Sequence, residues 1–337
     1  MFEGKNILIT GGTGSLGQAL TKRLLESNAK KIRIFSRNES KQVEMASKFH
    51  DKRLRFLIGD IRDFPRLNRA FEDIDIVFHA AALKHVNVVE YNPFEAIRTN
   101  VIGSQNVIEA CLHEDVEMAV GIGTDKAVAP LNTYGATKLL MEKLFVTASN
   151  YLNKDKHKTK FMVLRYGNVL GSSGSVVPIF LKQIKEKKKI TITDPTMTRY
   201  SITIDEALDF ILESTQISKG SEIFVPKLRA YTITDLKDAI TELTEDTGEE
   251  IIGIREGEKI HEVLINEDEM RYTWESNDKY IIFDPLYPQE IIKRDHSKII
   301  KNHDTHAYSS DSAEKIPKEE LKQIILKSGL LETNELK

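Results

Sequence analysis

Tyr134 and Lys138 stand four residues apart in Tyr134-Gly135-Ala136-Thr137-Lys138, a spacing that sets both on one face of a helix. A phenol ordinarily titrates near pH ~10, too high for an efficient base at neutral pH. A neighbouring ammonium favours the phenolate and lets it draw a proton from an alcohol. Just upstream lies Gly123-Thr124-Asp125-Lys126. Thr124 can hydrogen-bond the hydroxyl that Tyr134 approaches. Asp125 and Lys126 add what plain alcohol oxidation does not need: an acid and a base for an elimination. Residue type alone leaves open which is which, because coupled groups can exchange roles. The plainer alternative is a loop-capping Asp beside an exposed Lys.

A second cluster opens the chain. Gly11-Gly12-Thr13-Gly14-Ser15-Leu16-Gly17 follows the apolar run Asn6–Thr10 and precedes residues with helical apolar spacing, Leu16 to Ser27. Glycines between a strand and a helix allow a tight turn and close backbone approach to a pyrophosphate, and the helix N-terminus favours the anion. The second apolar run, Lys31–Ser36, ends in Ser36-Arg37-Asn38 with Lys41 close behind. An acidic residue there would hold an unmodified ribose. Arg37, with Ser36 and Lys41, instead suits a 2′-phosphate, so the expected cofactor is NADP. Asp60 is expected at the adenine edge with Ile61 beside the ring. Ala80, Ala81, Ala82 and Lys84, after the fourth apolar run, are assigned to the same cofactor.

The elements that must position these groups alternate. Apolar runs at Arg53–Ile58, Ile74–His79, Met118–Ile122 and Phe161–Tyr166 read as further strands, with helices over Phe94–Leu112 and Tyr134–Leu152 between them. That rhythm predicts an α/β fold, a Rossmann-type parallel sheet with helices on both faces. After Gly167 the alternation breaks. Helices near Val176–Lys188, Ile204–Ser214 and Thr234–Glu245, a core strand at Glu222–Pro226 and a strand at Ile251–Arg255 predict a smaller interleaved lobe. The expected division is therefore 1–167 for the dinucleotide core, with 222–226 returning to it, and 168–337 mainly for substrate. Pro317 and Gly329 bracket a last amphipathic helix whose stripe is packing, within the chain or against another subunit.

Composition narrows the function. The 337 residues are 40% hydrophobic and 29% charged with a net charge of −3, which argues against a broad nucleic-acid surface. The single cysteine, Cys111, cannot form an internal disulfide and falls in an apolar-periodic run, so it reads as a buried thiol. No metal site is expected: His261-Glu262 lacks the second histidine of a zinc motif. No secretory signal or membrane-length apolar run appears, and the expected location is the cytoplasm.

Beyond these two motifs, the chain resembles extended short-chain dehydrogenase/reductases of the UDP-N-acetylglucosamine 4,6-dehydratase group, especially the C5-inverting type. The resemblance rests on Thr10–Gly17, Phe35–Gln42, Gly59–Asp63, His79–Val86, Glu90–Gly103, Thr124–Lys138, Arg165–Pro178, Thr193–Tyr200 and Gly253–Glu262. It implies oxidation at sugar C4 begun by Tyr134 with support from Lys138. It further implies C5 deprotonation by Lys126, protonation of the leaving C6 hydroxyl by Asp125, and hydride return to C6. Reprotonation of C5 from the opposite face then inverts that centre. UDP-N-acetylglucosamine is the implied substrate. Arg199, Arg255, Asn168 and Glu258 are the implied contacts to its diphosphate and ribose, with Lys84 and His85 bordering the sugar. A homo-oligomer, dimer or hexamer, is implied as well. One departure stands out: the family usually has a small polar residue where this chain has Gly123. The competing readings are a C5-retaining dehydratase, a nucleotide-sugar 4-epimerase and a non-catalytic redox sensor.

Overall fold

In the computed structural model, residues 1–149, 152, 156–171, 175–286, 292, 296 and 298–331 are described. Short, nearly continuous apolar runs bury both faces when they become strands, and a parallel arrangement covered by helices satisfies them. Six such strands fill the N-terminal half: β1 Asn6–Thr10, β2 Lys31–Ser36, β3 Leu54–Ile58, β4 Ile76–His79, β5 Met118–Ile122 and β6 Lys160–Leu164. Two short strands, β7 Ile190–Ile192 and β8 Thr198–Tyr200, precede β9 Glu222–Pro226. Then come β10 Ala230–Thr232, β11 Glu249–Ile251, β12 Val263–Ile265, β13 Thr273–Glu275, β14 Lys279–Phe283, β15 Ile300–Lys301 and β16 Tyr308–Ser309.

The main sheet runs β3-β2-β1-β4-β5-β6-β9 and continues through β14, β13 and β15. Its first seven strands pair in parallel. The last three close the edge antiparallel. This is the extended Rossmann-type fold, with a smaller C-terminal lobe. After β1 the chain moves outward to β2 and β3, then crosses back to β4 on the other side of β1. The crossovers diverge there, and a crevice opens at the carboxyl ends of β1 and β4. Gly11–Gly17 and Ala80–Ala82 both enter it.

Apolar clusters cover each face of the sheet, one around Val77, Phe145 and Phe161 and the other around Ile9, Phe78 and Phe224. A third joins Phe180, Ile192, Leu236 and Ile240 to Leu321 and Ile325 of the last helix, Lys318–Lys327. The stripe of that helix therefore packs within its own chain. Cys111 is buried in the first cluster. Among the described residues, no helix is long and apolar enough to cross a membrane.

Several local readings shift. The strand expected at Ile251–Arg255 is shorter and earlier, β11, because only Glu249 to Ile251 find a partner, in β7. The helix expected over Phe94–Leu112 contains a π-helical stretch, Ile97–Ile102, between Pro93–Ala96 and Gly103–His113. The helix expected over Tyr134–Leu152 spans Thr133–Ala148, and residues 150 and 151 of that expectation lie outside the described ones. Strands β13 to β15 were not anticipated: they are short and antiparallel, and no glycine turn or strong alternation marks them.

Arg165, just after β6, is fully buried. Its guanidinium donates to Glu142 at 2.6 Å, to Glu269 at 2.9 Å and to the Leu264 carbonyl at 3.0 Å. Arg165→Met would leave two carboxylates without their cation, and breaking a buried pair from one side costs about 3–5 kcal/mol. Urea denaturation should register a loss of that size, with the midpoint falling and the slope little changed.

Candidate active site

Gly11 sits at φ +67, and a Cβ there would lie 2.8 Å from the Ala81 backbone. At Gly17 a Cβ would come within 2.5 Å of Gly12. These close approaches let the first turn lie flat against the loop after β4. Gly14 caps the helix Ser15–Glu26 with no side-chain acceptor, and its first turn holds no acidic residue. Its opening amides are thus available to an anion, with Gly14 and Ser15 exposed, Leu16 half-buried and Thr13 buried beneath. The cradle fits a pyrophosphate. Behind it, Thr10 Oγ1 lies 2.8 Å from His79 Nδ1 and His79 Nε2 lies 2.9 Å from Ser104 Oγ. Burial, with a further push from Lys138, drives the His79 imidazole down to about 3, so it is neutral. Thr10 Oγ1 also accepts from the Ala81 amide at 3.3 Å, which holds Ala80, Ala81 and Ala82 against the cradle.

Asn100, from the π-helical stretch, had no sequence signal. It is buried, and its amide accepts from Leu83 N at 2.8 Å and donates to Leu83 O at 2.9 Å and to Thr137 Oγ1 at 3.0 Å. One side chain thereby ties the loop after β4 to the helix that carries Tyr134 and Lys138. The extra residue of a π turn is what swings it inward, a recurrent feature of functional helices.

Tyr134 and Lys138 lie on the helix Thr133–Ala148, capped by Asn132 Oδ1, which accepts from Gly135 N at 2.8 Å. A Cβ on Gly135 would be 2.1 Å from the Lys126 carbonyl, so the Gly after Tyr134 is what lets the turn Asp125–Ala127 press against this helix. Lys138 Nζ donates to the Ile122 carbonyl at 2.6 Å, and burial, offset in part by Glu142, brings its ammonium down to about 8. Burial pushes the Tyr134 phenol up to about 12, with Lys126 drawing it back and Asp125 opposing.

Asp125 is buried, while the Lys126 side chain is 32% exposed. Thr124 Oγ1 donates to Asp125 Oδ1 at 2.7 Å, and Lys126 Nζ lies 3.1 Å from Asp125 Oδ2. Burial works against the Asp125 charge, but the Lys126 ammonium holds the carboxyl below its usual range. Burial would likewise lower Lys126, yet Asp125 and Glu262 together raise it well above the ordinary lysine value. Lys126 Nζ also donates to Asn168 Oδ1 at 3.4 Å, and Asn168 Nδ2 donates to Glu262.

A cavity of about 540 Å³ opens in front of this cluster, and Asp125, Lys126, Asn168 and Glu262 form part of its wall. Lys84, His85, Arg255 and Glu258 also line it, with Lys84, His85 and Arg255 exposed. Arg199 lines it too but is largely spent. Its guanidinium donates to the Thr198 and Ile260 carbonyls at 2.8 and 2.9 Å and lies 3.4 Å from Glu258. Glu258 Oε2 is buried with no donor of its own. Thr124, Tyr134 and Lys138 are not in this lining. Among the described residues, no group of His, Cys, Asp and Glu could hold a metal ion.

Fold and site together describe an enzyme of the extended Rossmann type with a glycine cradle and an Asp–Lys ion pair in its cavity wall. The family of polysaccharide biosynthesis proteins matches over residues 7–284, and the chain belongs to that family. It is 50% identical over 284 residues to the UDP-N-acetylglucosamine 4,6-dehydratase (inverting) of Campylobacter jejuni, covering 84% of each chain. A Rickettsia massiliae UDP-glucose 4-epimerase is 38% identical over 335 residues, 97% of this chain and 96% of that one. The crystal structure of Pen from Bacillus thuringiensis superposes with a TM-score of 0.90 at 41% identity, covering 98% of this chain and 100% of that one.

The expectation of NADP is corrected. Two solved structures that share the fold hold NAD: DesIV, a dTDP-glucose 4,6-dehydratase of Streptomyces venezuelae (TM-score 0.67, 20% identity, 76% and 86% covered), and a Bacillus cereus UDP-glucuronic acid 4-epimerase (0.62, 22%, 73% and 86%). Arg37 misled because sequence cannot show its neighbour. Its guanidinium, 54% exposed, lies 3.8 Å from Asp60, so a carboxylate offsets the charge read as a phosphate clamp. Ser36 Oγ already accepts from Gln42 at 3.0 Å, and Lys41 is exposed. Asp60 is itself held by Arg62 at 2.6 Å, and Ile61 is buried against Gly103. Mass spectrometry of dinucleotide released from purified protein checks this directly: a 2′-phosphorylated form would reverse the correction. Gly11→Ala should cost about 1–3 kcal/mol for the left-handed backbone and weaken dinucleotide binding in a fluorescence titration. Unchanged affinity would mean that the cradle does not hold the pyrophosphate.

Proposed function

We propose that the chain dehydrates UDP-N-acetylglucosamine across C5 and C6 with inversion at C5, giving UDP-2-acetamido-2,6-dideoxy-beta-L-arabino-hex-4-ulose. The observation that carries this reading is the Asp125–Lys126 ion pair in the cavity wall, one turn of chain from the Tyr134 helix. An enzyme that only oxidised C4 would have no use for a buried acid and a base there. The identity to the Campylobacter dehydratase points the same way.

A nicotinamide dinucleotide, NAD, supplies hydride acceptance from C4 and hydride return to C6. Tyr134 takes the C4 hydroxyl proton, with Thr124 holding that hydroxyl and Lys138 supporting the phenolate. The resulting ketone acidifies C5. Lys126 draws the C5 proton and Asp125 protonates the departing C6 hydroxyl. The 3.1 Å contact between them means that a single proton shift converts the resting ion pair into neutral base and neutral acid. Arg255, from the exposed rim, meets the diphosphate, and the unpartnered Glu258 Oε2 accepts from the ribose hydroxyls. Asn168 keeps Lys126 aimed at the sugar.

UDP-activated sugars are made in the cytoplasm, which is where we place the reaction. Large apolar side chains exposed at Val88, Tyr91 and Phe94 support a homo-oligomer. The Rickettsia relative makes 4-epimerisation the alternative, and it differs in mass balance: an epimerase returns an isomer with no water lost.

Incubation with UDP-N-acetylglucosamine in deuterated water should give loss of one water and one solvent deuteron at C5, with NMR couplings of the inverted centre. Asp125→Asn should lower turnover roughly 10²–10⁴-fold while leaving dinucleotide binding intact. Full turnover in that variant would remove Asp125 from the chemistry.

A further inference from the structure

Arg255, Glu256, Gly257, Glu258 and Lys259 follow one another along the cavity wall. Their loop belongs to the C-terminal lobe, which holds it at both ends. Ile252 N donates to the Ile192 carbonyl at 2.9 Å, and the Ile260 carbonyl accepts from Thr198 N at 3.2 Å. Between these anchors, two side-chain bonds tie the loop to the chain that leads into the Tyr134 helix. Asn132 Nδ2 donates to the Gly257 carbonyl at 2.9 Å, and Lys259 Nζ donates to the Val128 carbonyl. Gly257 lies at φ +73, and a Cβ there would stand 3.2 Å from Asn132 Cβ, so the approach is close.

Asn132 is the more informative of the two, because its amide is used at both ends. Its Oδ1 accepts from Gly135 N at 2.8 Å and so caps the helix Thr133–Ala148, while its Nδ2 holds the loop. A cap needs only the oxygen, and aspartate would cap equally well. Aspartate could not donate to a carbonyl. The donor end therefore has no helical duty, and its partner is the backbone between Arg255 and Glu258, the two residues assigned to the nucleotide.

Resting on the nucleotide-sugar reading above, we propose that Asn132 is a positioning residue that sets the register between the loop gripping the nucleotide and the phenol acting at C4. A sugar tethered through its diphosphate to Arg255 meets Tyr134 correctly only if loop and helix keep a fixed separation. The demand is double in the dehydration, since hydride leaves C4 and returns to C6 of the same tethered ring. Misplacing a reacting group by about 1 Å can cost on the order of 10²-fold in rate. A loop anchored to its own lobe alone would still hold the nucleotide and yet let the sugar drift.

Asn132→Asp and Asn132→Gly test this. Both residues are accepted at a helix N-cap, and both lack the donor, one with an added charge and one without. Glu90 also accepts from the Thr133 amide at 2.5 Å and from its hydroxyl at 3.0 Å, which keeps the helix start anchored in either variant. Melting temperatures should stay within about 2 °C of wild type; if one variant falls further, the other decides. In Asn132→Gly, kcat with UDP-N-acetylglucosamine should fall roughly 10- to 100-fold. Its affinity for UDP alone, by titration calorimetry, should stay within about fivefold of wild type. An unchanged kcat in both variants overturns the proposal. So does a loss confined to UDP affinity and KM, which would make Asn132 part of the grip instead of the register.

A second readout needs no turnover. In the wild type, UDP alone should slow amide hydrogen exchange in two stretches, the loop 253–259 and the first turn of the Tyr134 helix. In Asn132→Gly it should slow exchange in the loop and leave the helical turn as it was. A wild type whose helical turn gains no protection, or a variant that gains as much, overturns the proposal. Wild-type protein that leaves UDP-N-acetylglucosamine unchanged counts against the dehydratase reading, and the exchange experiment still decides the role of Asn132.

Discussion

The helix that carries Tyr134 and Lys138 is fixed at its buried side by one guanidinium. Arg165 has no contact with water, and its charge is met by Glu142 on that helix and by Glu269 from the C-terminal lobe. Buried ion pairs of this kind contribute little net stability, because desolvation offsets the attraction. Their effect is on uniqueness: only one placement of the three elements satisfies all the charges. Gly123 makes that placement possible, since a Cβ there would lie 2.4 Å from Glu142 Oε1 and 2.9 Å from the Leu164 carbonyl. The departure from the small polar residue usual in the family thus has a local reason. Space for a carboxylate takes precedence over a minor hydroxyl.

The same helix is gripped at its other side by the chain that it serves. Gly135 admits the Lys126 carbonyl, Asn132 donates to the Gly257 carbonyl at 2.9 Å, and Asn100 reaches Thr137. Those contacts bring the turn after β5, the loop before β12 and the loop after β4 to one line of backbone. Each comes from a different part of the sequence, and none is long enough to be rigid alone. Precision at the cavity comes from backbone proximity at glycine and from amide side chains that bridge loops, rather than from a local motif.

This is also why the sequence discloses the site unevenly. Tyr134, Lys138 and the glycine cradle are legible because their chemistry depends on spacing within one helix or one turn, which linear order preserves. The parallel sheet is legible for the same reason, since each strand–helix unit repeats its own pattern. Asn100 and Glu262 are not, because each contacts partners far away in sequence: Thr137 for one, Asn168 and Arg199 for the other. Strands β13 to β15 escape notice since short antiparallel edges carry little periodicity. Arg37 illustrates the opposite hazard. A basic residue at the end of β2 reads as a phosphate clamp until the fold sets Asp60 beside it.

Burial then turns these neighbours into chemistry. An isolated aspartate, lysine, glutamate and tyrosine in water would each keep its ordinary titration, and no proton would be poised to move between them. Removed from solvent, the four are coupled: Asp125 falls and Lys126 rises because each has the other, while Glu262 and Tyr134 rise because burial and the Asp125 charge act on them together. Moving the proton from Lys126 to Asp125 leaves the total charge unchanged, but the shifts that favour the ion pair make that transfer uphill in the resting site. In the proposed elimination the acid and the base are adjacent residues, Asp125 and Lys126, and neither holds an unstable charge state while the site waits for substrate. The lobe beyond β6 contributes Glu262, whose carboxyl accepts from Asn168 and Tyr200 behind them. Asn168 carries the link onward, since its amide donates to Glu262 and accepts from Lys126, so the lobe reaches the turn after β5 through a neutral bridge and adds no second charge to the pair.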